Sequence, residues 1–312
     1  MGTSTVVAEA RQALGPAGVF LPFPLADGPT ANQQRDAARR LEAAGYRAAW
    51  TNEAVGGKDA LVQLAVLLAA TDRLVLGTSI ANIWARAPQT AHGASTLLAQ
   101  AFPGRLVLGL GVGYPHQAAS VGRDFGRPLA TMRGYLEQMT APTQMSAPQL
   151  PAPELTYPRI IAANGPRMLA LSGELADGAM PAMVPPEFTA QARQQLGPDK
   201  LLVIGLSFVA DADPARAQAA ARQRVAARLA MPGTYADTIA RLGYSGQEIT
   251  DVSDRLVDSL VAYGEGAAIA AKAAEHLAAG ADHVMVMSGA SGAAAGIAEL
   301  EQLAPALARL GG

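Results

Sequence analysis

Asn52-Glu53 ends a short apolar run, AAWTNE, and sets a carboxyl group where a strand would hand over to a loop. Burial there would raise its pKa and make it a proton donor; the alternative is a loop carboxylate paired with Lys58 or Arg86. A second cluster ends the stretch RLVLGLGVGYPHQ at 105–117, where Gly111 and Gly113 lead into Tyr114, Pro115 and His116. An imidazole with an ordinary pKa of about 6.5 exchanges protons near neutrality, so His116 is a candidate acid or base. Tyr114 could orient a substrate carbonyl or simply plug the space beyond the strand. The third cluster, Asn164-Gly165-Pro166-Arg167, runs into apolar residues at helical spacing, Met168, Leu169, Leu171 and Leu175. Free amides and the positive dipole end at such a helix start favour an anion by about 0.3 to 1 kcal/mol per interaction. A phosphate therefore fits, with Arg167 as a charged donor; a plain first-turn proline behind a turn glycine is the competing reading.

Other chemistries lack their patterns. GLGVG is followed by Tyr114-Pro115 instead of the third glycine of a dinucleotide fingerprint, no Walker loop occurs, and no G-x-S-x-G elbow presents a serine nucleophile. His92, His116, His276 and His283 are scattered without a metal-ligand spacing, so no metal site is expected, and all but His116 read as helix or strand-edge residues. The chain has no cysteine, which removes disulfides, thiolate metal sites and thiol nucleophiles and agrees with a cytoplasmic setting. A net charge of −2 with both signs interspersed offers no basic stripe to nucleic acid and no polybasic cluster to an anionic membrane. The first residues, MGTSTVVAEARQ, lack the basic start and apolar core of an export signal, and no apolar run approaches the roughly 18 residues that span a bilayer. A small-molecule substrate is the expected partner, with no nucleic acid and no membrane.

The elements that must hold these clusters alternate regularly. Strands are expected at 18–24, 48–53, 74–82, 105–113, 159–164, around 178–184, at 201–210 and at 283–288. Helices are expected at 29–44, after the cap Asp59, at 88–101, at 128–139, from Pro166, from Pro214, at 267–279 and at 292–310. The proline-rich stretch 141–158 reads as a surface connection, and the irregular helical pattern at 231–263 as inserted helices between strands seven and eight that cover one end. Eight strands alternating with helices specify an α/β fold, a (β/α)8 TIM barrel forming a single domain over 1–312. Half of the residues are apolar and aromatics are sparse, so small side chains line its core. In such a barrel function sits at the C-terminal strand ends. That rule selects Phe23, Asn52, Glu53, Ser79, Ile80, Asn82, Trp84, Arg86, Gly111, Gly113, Tyr114, His116, Asn164, Gly165 and Arg167.

The stretches GTSIANIWARAP (77–88), FPGRLVLGLGVGYPH (102–116), NGPRMLALSGELADGAMP (164–181) and AAGADHVMVM (278–287), in this order and spacing, resemble the bacterial luciferase-like superfamily of flavin and deazaflavin oxidoreductases. Similarity is strongest to its actinobacterial branch using coenzyme F420. The resemblance implies a luciferase-like barrel and a non-prolyl cis peptide at Ser79-Ile80 against the cofactor ring. It also implies a cofactor phosphate held by Asn164, Gly165, Pro166, Arg167 and Met168, with Gly111 and Gly113 giving room to the tricyclic ring and its chain, and Asn52 beside it. Phe23, Asn82, Trp84 and Arg86 would line the substrate pocket, and His116, Tyr114 and Glu53 would be the polar groups near the reacting centre. The implied activity is hydride transfer between F420 and a small substrate, reducing C=C, C=N or C=O or oxidising an alcohol. The alternatives are an FMN-dependent monooxygenase using reduced flavin and oxygen, and a cofactor-binding protein without turnover. A homodimer is also implied. The chain departs from the family at Asn52-Glu53, where members carry an Asp-His pair, and at Tyr114, where they carry a Glu. At Tyr114-Pro115-His116 it also differs from close relatives, which carry Ser-His there.

Overall fold

Strands and helices alternate along the computed structural model, which describes residues 3–24, 28–141, 156–231 and 235–311. In chain order these are α1 (Thr3–Leu14), β1 (Ala17–Phe20), α2 (Ala31–Ala43), β2 (Ala48–Thr51), α3 (Ala60–Leu68), β3 (Val75–Thr78), β4 (Ala81–Asn82), α4 (Pro88–Ala101) and β5 (Leu106–Gly111). There follow α5 (Pro115–Ala119), α6 (Pro128–Met139), β6 (Arg159–Ile161), α7 (Pro166–Leu175), β7 (Gly178–Ala179), α8 (Pro186–Leu196) and β8 (Leu201–Ala210). The last are α9 (Pro214–Leu229), α10 (Tyr235–Arg241), α11 (Gly246–Asp251), α12 (Asp254–Leu260), β9 (Val261–Gly264), α13 (Gly266–Ala278), β10 (His283–Met287) and α14 (Ala293–Ala308).

The strands pair in the order β10-β1-β2-β3-β5-β6-β7-β8, all parallel, and β8 closes on β10 from Val203↔His283 to Ser207↔Met287. The fold is thus the expected α/β eight-stranded parallel barrel. Caps fix where helices begin. Thr30 forms a capping box with Gln33 at α2, and Asp59 accepts from the Leu61 and Val62 amides at 2.9 and 3.0 Å to start α3. Proline occupies the first turn of α4, α6, α7 and α9.

Side chains alternate between two layers, as the pleat requires. Ala48, Trp50, Val75, Val107, Ile160, Met180, Leu201, Val203 and Met285 share the interior cluster, while Ala49, Leu76, Leu108, Leu202 and Val284 join the larger cluster shared with the surrounding helices. Val7, Ala10 and Leu14 of α1 belong to the interior cluster, so α1 closes the N-terminal end of the barrel. There the Trp50 indole donates to His283 Nε2 at 3.1 Å, and His283 Nδ1 donates to the Gly15 carbonyl at 2.7 Å. Both residues are fully buried. A Cβ on Gly77 would stand 2.3 Å from the Trp50 ring, so that position admits only glycine.

Several expectations change. The α1 helix lies outside the sequence reading, which begins its elements at 18. The third strand is broken into β3 and β4, and β4 pairs with β5. The sixth strand shortens to Gly178–Ala179 plus a bridge from Ala182 to Gly205. The inserted helices are α10, α11 and α12, but Val261–Gly264, read as helical, is a strand that extends the far half of β8 from Ser207↔Val261 to Ala210↔Gly264. Its β-branched and aromatic residues, VAYG, were hidden by the helical pattern ahead of them. Residues 142–155 of the expected proline-rich connection, and 232–234 of the inserted stretch, lie outside the described residues. No helix among the described residues is long and apolar enough to cross a membrane.

Candidate active site

At the C-terminal ends of the strands the interior layer opens into half-buried residues: Phe20, Ile80 and Met287 pack on the interior cluster from this side. Asn52, two residues beyond interior-facing Trp50, is in phase with them and half-buried. The Ser79–Ile80 peptide is cis, the state the resemblance implies.

The two glycines at the end of β5 make room for the protein's own side chains. A Cβ on Gly111 would lie 2.5 Å from Ile80 Cγ1, so this glycine makes room for the Ile80 side chain. Gly113 has φ +59°, and a Cβ there would stand 2.1 Å from Gln117 Oε1 and 2.5 Å from Asn82 Nδ2. Gln117 Oε1 accepts from Asn82 Nδ2 at 3.0 Å and from the Tyr114 amide at 2.8 Å, and so ties the exit of β5 to the end of β4. A Cβ at Gly111 would meet Ile80, and one at Gly113 would meet Gln117 and Asn82.

Glu53 is likewise reassigned. Its side chain is 1 % exposed and takes the Ala60 amide at 3.0 Å, the Asn82 amide at 2.7 Å and both terminal nitrogens of Arg86. Arg86 also meets Asp59 at 2.9 Å. With every lone-pair direction taken and no solvent face, the carboxylate clamps β2, β4 and α3 together and has no oxygen to offer a substrate. Arg86, in turn, is no pocket residue.

The other expected pocket residues also lie in the outer layer. Phe23 is 4 % and Asn82 1 % exposed. Trp84 packs on the outer cluster, stands 6.0 Å from the Phe125 ring, and gives its indole N–H to the Val112 carbonyl at 2.7 Å. These residues build the wall behind the mouth.

Tyr114 and His116 do come together at the rim. Their rings stack at 5.8 Å with 8° between planes, His116 exposed and Tyr114 half-buried. Tyr235 of α10 stands beside Tyr114; burial raises its phenol pKa, and Tyr114 adds to the rise. Sequence reasoning named Lys58 only as a possible partner for Glu53. Its Nζ donates to Asn52 Oδ1 at 3.2 Å and Thr51 Oγ1 at 3.3 Å, and burial pushes its pKa down to about 8 against the opposing pull of Glu53.

The helix start at 165 has the features of an anion cradle. Gly165 is the N-cap of α7 without a side-chain cap, Pro166 takes the first turn, and the Leu169 amide already bonds the Gly165 carbonyl at 3.0 Å. The Arg167 and Met168 amides belong to the first turn, where no intrahelical acceptor exists. Arg241, at the end of α10, brings a terminal nitrogen to 4.0 Å from where a Gly165 Cβ would be and donates to Thr238 Oγ1 at 2.8 Å. Thr238 donates to the Asn164 carbonyl at 2.9 Å, so α10 is pinned over this helix start. The Arg167 side chain points into solvent. Both ends of the Asn164 amide are spent on the Ala182 backbone, at 2.8 and 3.1 Å, so this side chain is engaged within the protein. Neither Arg241 nor Gln117 was foreseen. Gln117 alone carried a signal, standing at the third helical position behind a first-turn proline. Among the described residues no group of three or more His, Asp or Glu could hold a metal.

The luciferase-like monooxygenase family profile matches residues 16–283. A 5,10-methylenetetrahydromethanopterin reductase of Methanolobus tindarius is 28% identical over 170 residues, 50% of this chain and 52% of the relative. The chain thus spans about half the length of the curated relatives it matches. Among solved structures, the coenzyme F420 dependent tetrahydromethanopterin reductase from Methanopyrus kandleri superposes with a TM-score of 0.72 at 17% identity, covering 96% of this chain and 100% of that one. The oxygenating constituent of 3,6-diketocamphane monooxygenase from Pseudomonas putida, a Type II Baeyer-Villiger monooxygenase in complex with FMN, gives 0.65 at 14%, covering 95% and 98%. At those identities the two structures speak to the fold.

Proposed function

This chain belongs to the luciferase-like monooxygenase family, and on that premise we propose that it is a coenzyme F420-dependent oxidoreductase acting on a small organic substrate. The observation that carries the reading is the uncapped start of α7 under Arg241, at the same end of the barrel as the half-buried floor of Asn52, Ile80 and Met287. A tricyclic ring with a phosphate-bearing chain needs both parts: an apolar shelf for the ring and an anion cradle for the phosphate. The Arg167 and Met168 amides and the Arg241 guanidinium would hold the phosphate, a charge-assisted contact in a partly desolvated place. Ile80, propped by Gly111, would form the shelf.

Bound reduced F420 would supply hydride; the protein supplies position and electrostatics. The stacked Tyr114 and His116 rings border the mouth and would orient a substrate entering over them. Glu53 and Arg86 keep the wall behind it rigid. FMN also carries a ring and a phosphate, and the FMN-bound neighbour keeps that cofactor as the second reading. The F420 in the name of the Methanopyrus kandleri reductase supports the first.

Titration of the purified protein with F420 and with FMN, followed by tryptophan emission, separates the two. The reading expects saturable F420 binding in the micromolar range and weaker FMN binding. Micromolar FMN binding with no response to F420 would replace it with the flavin reading.

A further inference from the structure

We propose that Lys58 is the proton donor and acceptor of the barrel mouth, held by the side chains of Asn52 and Thr51 so that its remaining N–H faces a substrate oxygen or nitrogen. This inference rests on the oxidoreductase reading above and narrows the substrate to a carbonyl or imine, or the corresponding alcohol or amine.

The chain has three lysines, at 58, 200 and 272, and the other two have evident structural partners. Lys200 Nζ donates to the Ala176 carbonyl at 2.6 Å, and Lys272 Nζ pairs with Glu275 at 2.6 Å. Lys58 stands apart: its two recorded acceptors, Asn52 Oδ1 at 3.2 Å and Thr51 Oγ1 at 3.3 Å, are both neutral. The charged group acting on it is Glu53 on its own loop, and that carboxylate, like Asp59 at the start of α3, pairs with Arg86 from the loop after β4. Thr51 Oγ1 itself donates to Gln63 Oε1 at 2.6 Å, which fixes its lone pairs toward Lys58. Asn52 is in phase with the interior-facing residues of β2 and Thr51 with the outer ones, so Lys58 Nζ bridges the two layers at the C-terminal end of β2. The ammonium is half-buried, and burial pushes its pKa down to about 8, where a lysine can both give and take a proton at physiological pH.

The chemistry balances without a further reactant. When a C=O or C=N carbon accepts hydride from the reduced deazaflavin, the heteroatom takes a proton from Lys58, a C–H and an O–H or N–H bond form, and a neutral amine remains for water to reprotonate. In the reverse direction the amine takes the hydroxyl or amine proton as hydride leaves the carbon for the oxidised deazaflavin. Asn52 cannot titrate, and Glu53 is fully engaged with Arg86.

The test is reductive methylation with ¹³C-formaldehyde and NMR titration of the three dimethyl-lysine signals in the free protein. Lys200→Arg and Lys272→Arg assign the other two, so the assignment does not depend on a Lys58 variant folding. A Lys58 midpoint near 8 is expected; a midpoint near the ordinary value of about 10.4 would overturn the proposal. Adding saturating F420 should then displace the Lys58 signal and shift its midpoint. An unmoved Lys58 signal, with F420 binding confirmed by tryptophan emission, overturns the role of Lys58 and leaves the cofactor reading intact. If tryptophan emission shows no F420 binding at all, the cofactor reading falls and this inference with it.

Discussion

Glu53 and Lys58 sit five residues apart in sequence and exchange the roles their types suggest. A carboxyl at a strand end looks like the acid, but two backbone amides and Arg86 occupy both of its oxygens, so no ligand can reach it. Replacing Glu53 by Ala would leave Arg86 with only the half-exposed Asp59 and strand the Ala60 and Asn82 amides, a loss of about 3 to 5 kcal/mol in unfolding free energy by urea titration. A side chain used for proton transfer alone would leave that midpoint unchanged. Residue types and order pointed to the pairing, because Arg86 was already a named partner for Glu53. They could not decide between pairing and catalysis, since that depends on which layer of the barrel the side chain enters. The same uncertainty sent Phe23, Asn82, Trp84 and Arg86 to the pocket when they belong to the wall.

Elements were far more legible than sites. The helices at 88–101 and 128–139 and the strand 201–210 fall where periodicity and first-turn prolines put them. The failures have local causes. Val261–Gly264 is four residues long behind a helical run, and α1 is an amphipathic stretch whose partner, the closed end of the barrel, exists only in three dimensions. The exit of β5 shows how an element end is built from contacts that sequence spacing conceals: Gly113 carries φ +59° because Gln117 and Asn82 fill the space beside it. Gly113→Ala should therefore cost about 1 to 3 kcal/mol, read as a lowered thermal midpoint, and should loosen Tyr114 and His116. An unchanged midpoint would mean that the Gln117 contact does not hold this turn.

Across the whole molecule, two histidines buried far from the mouth set its response to acid. Burial lowers the pKa of both His283 and His276 to about 4. Below their ordinary value of about 6.5 the unfolded chain binds protons that the folded one does not, so stability is full above that pH and falls as the pH drops toward 4. Each contributes up to about 3 kcal/mol to this loss. The urea midpoint should decline between pH 7 and pH 5, and His283→Gln should flatten the decline; a midpoint equal at both pH values would contradict buried neutral imidazoles. The barrel and the family were legible in four ordered motifs, and one of those motifs holds the helix start proposed here to bind a phosphate. The guanidinium that completes the cradle was not, because Arg241 reaches Gly165 from α10, more than one barrel strand later in the chain. That contact is also where the central claim is most exposed. In the tryptophan-emission titration with F420, Arg241→Ala should bind about tenfold more weakly than the unaltered protein, a loss of about 1.4 kcal/mol, with an unchanged thermal midpoint. Equal affinity in the two proteins would contradict a cofactor phosphate held at the start of α7.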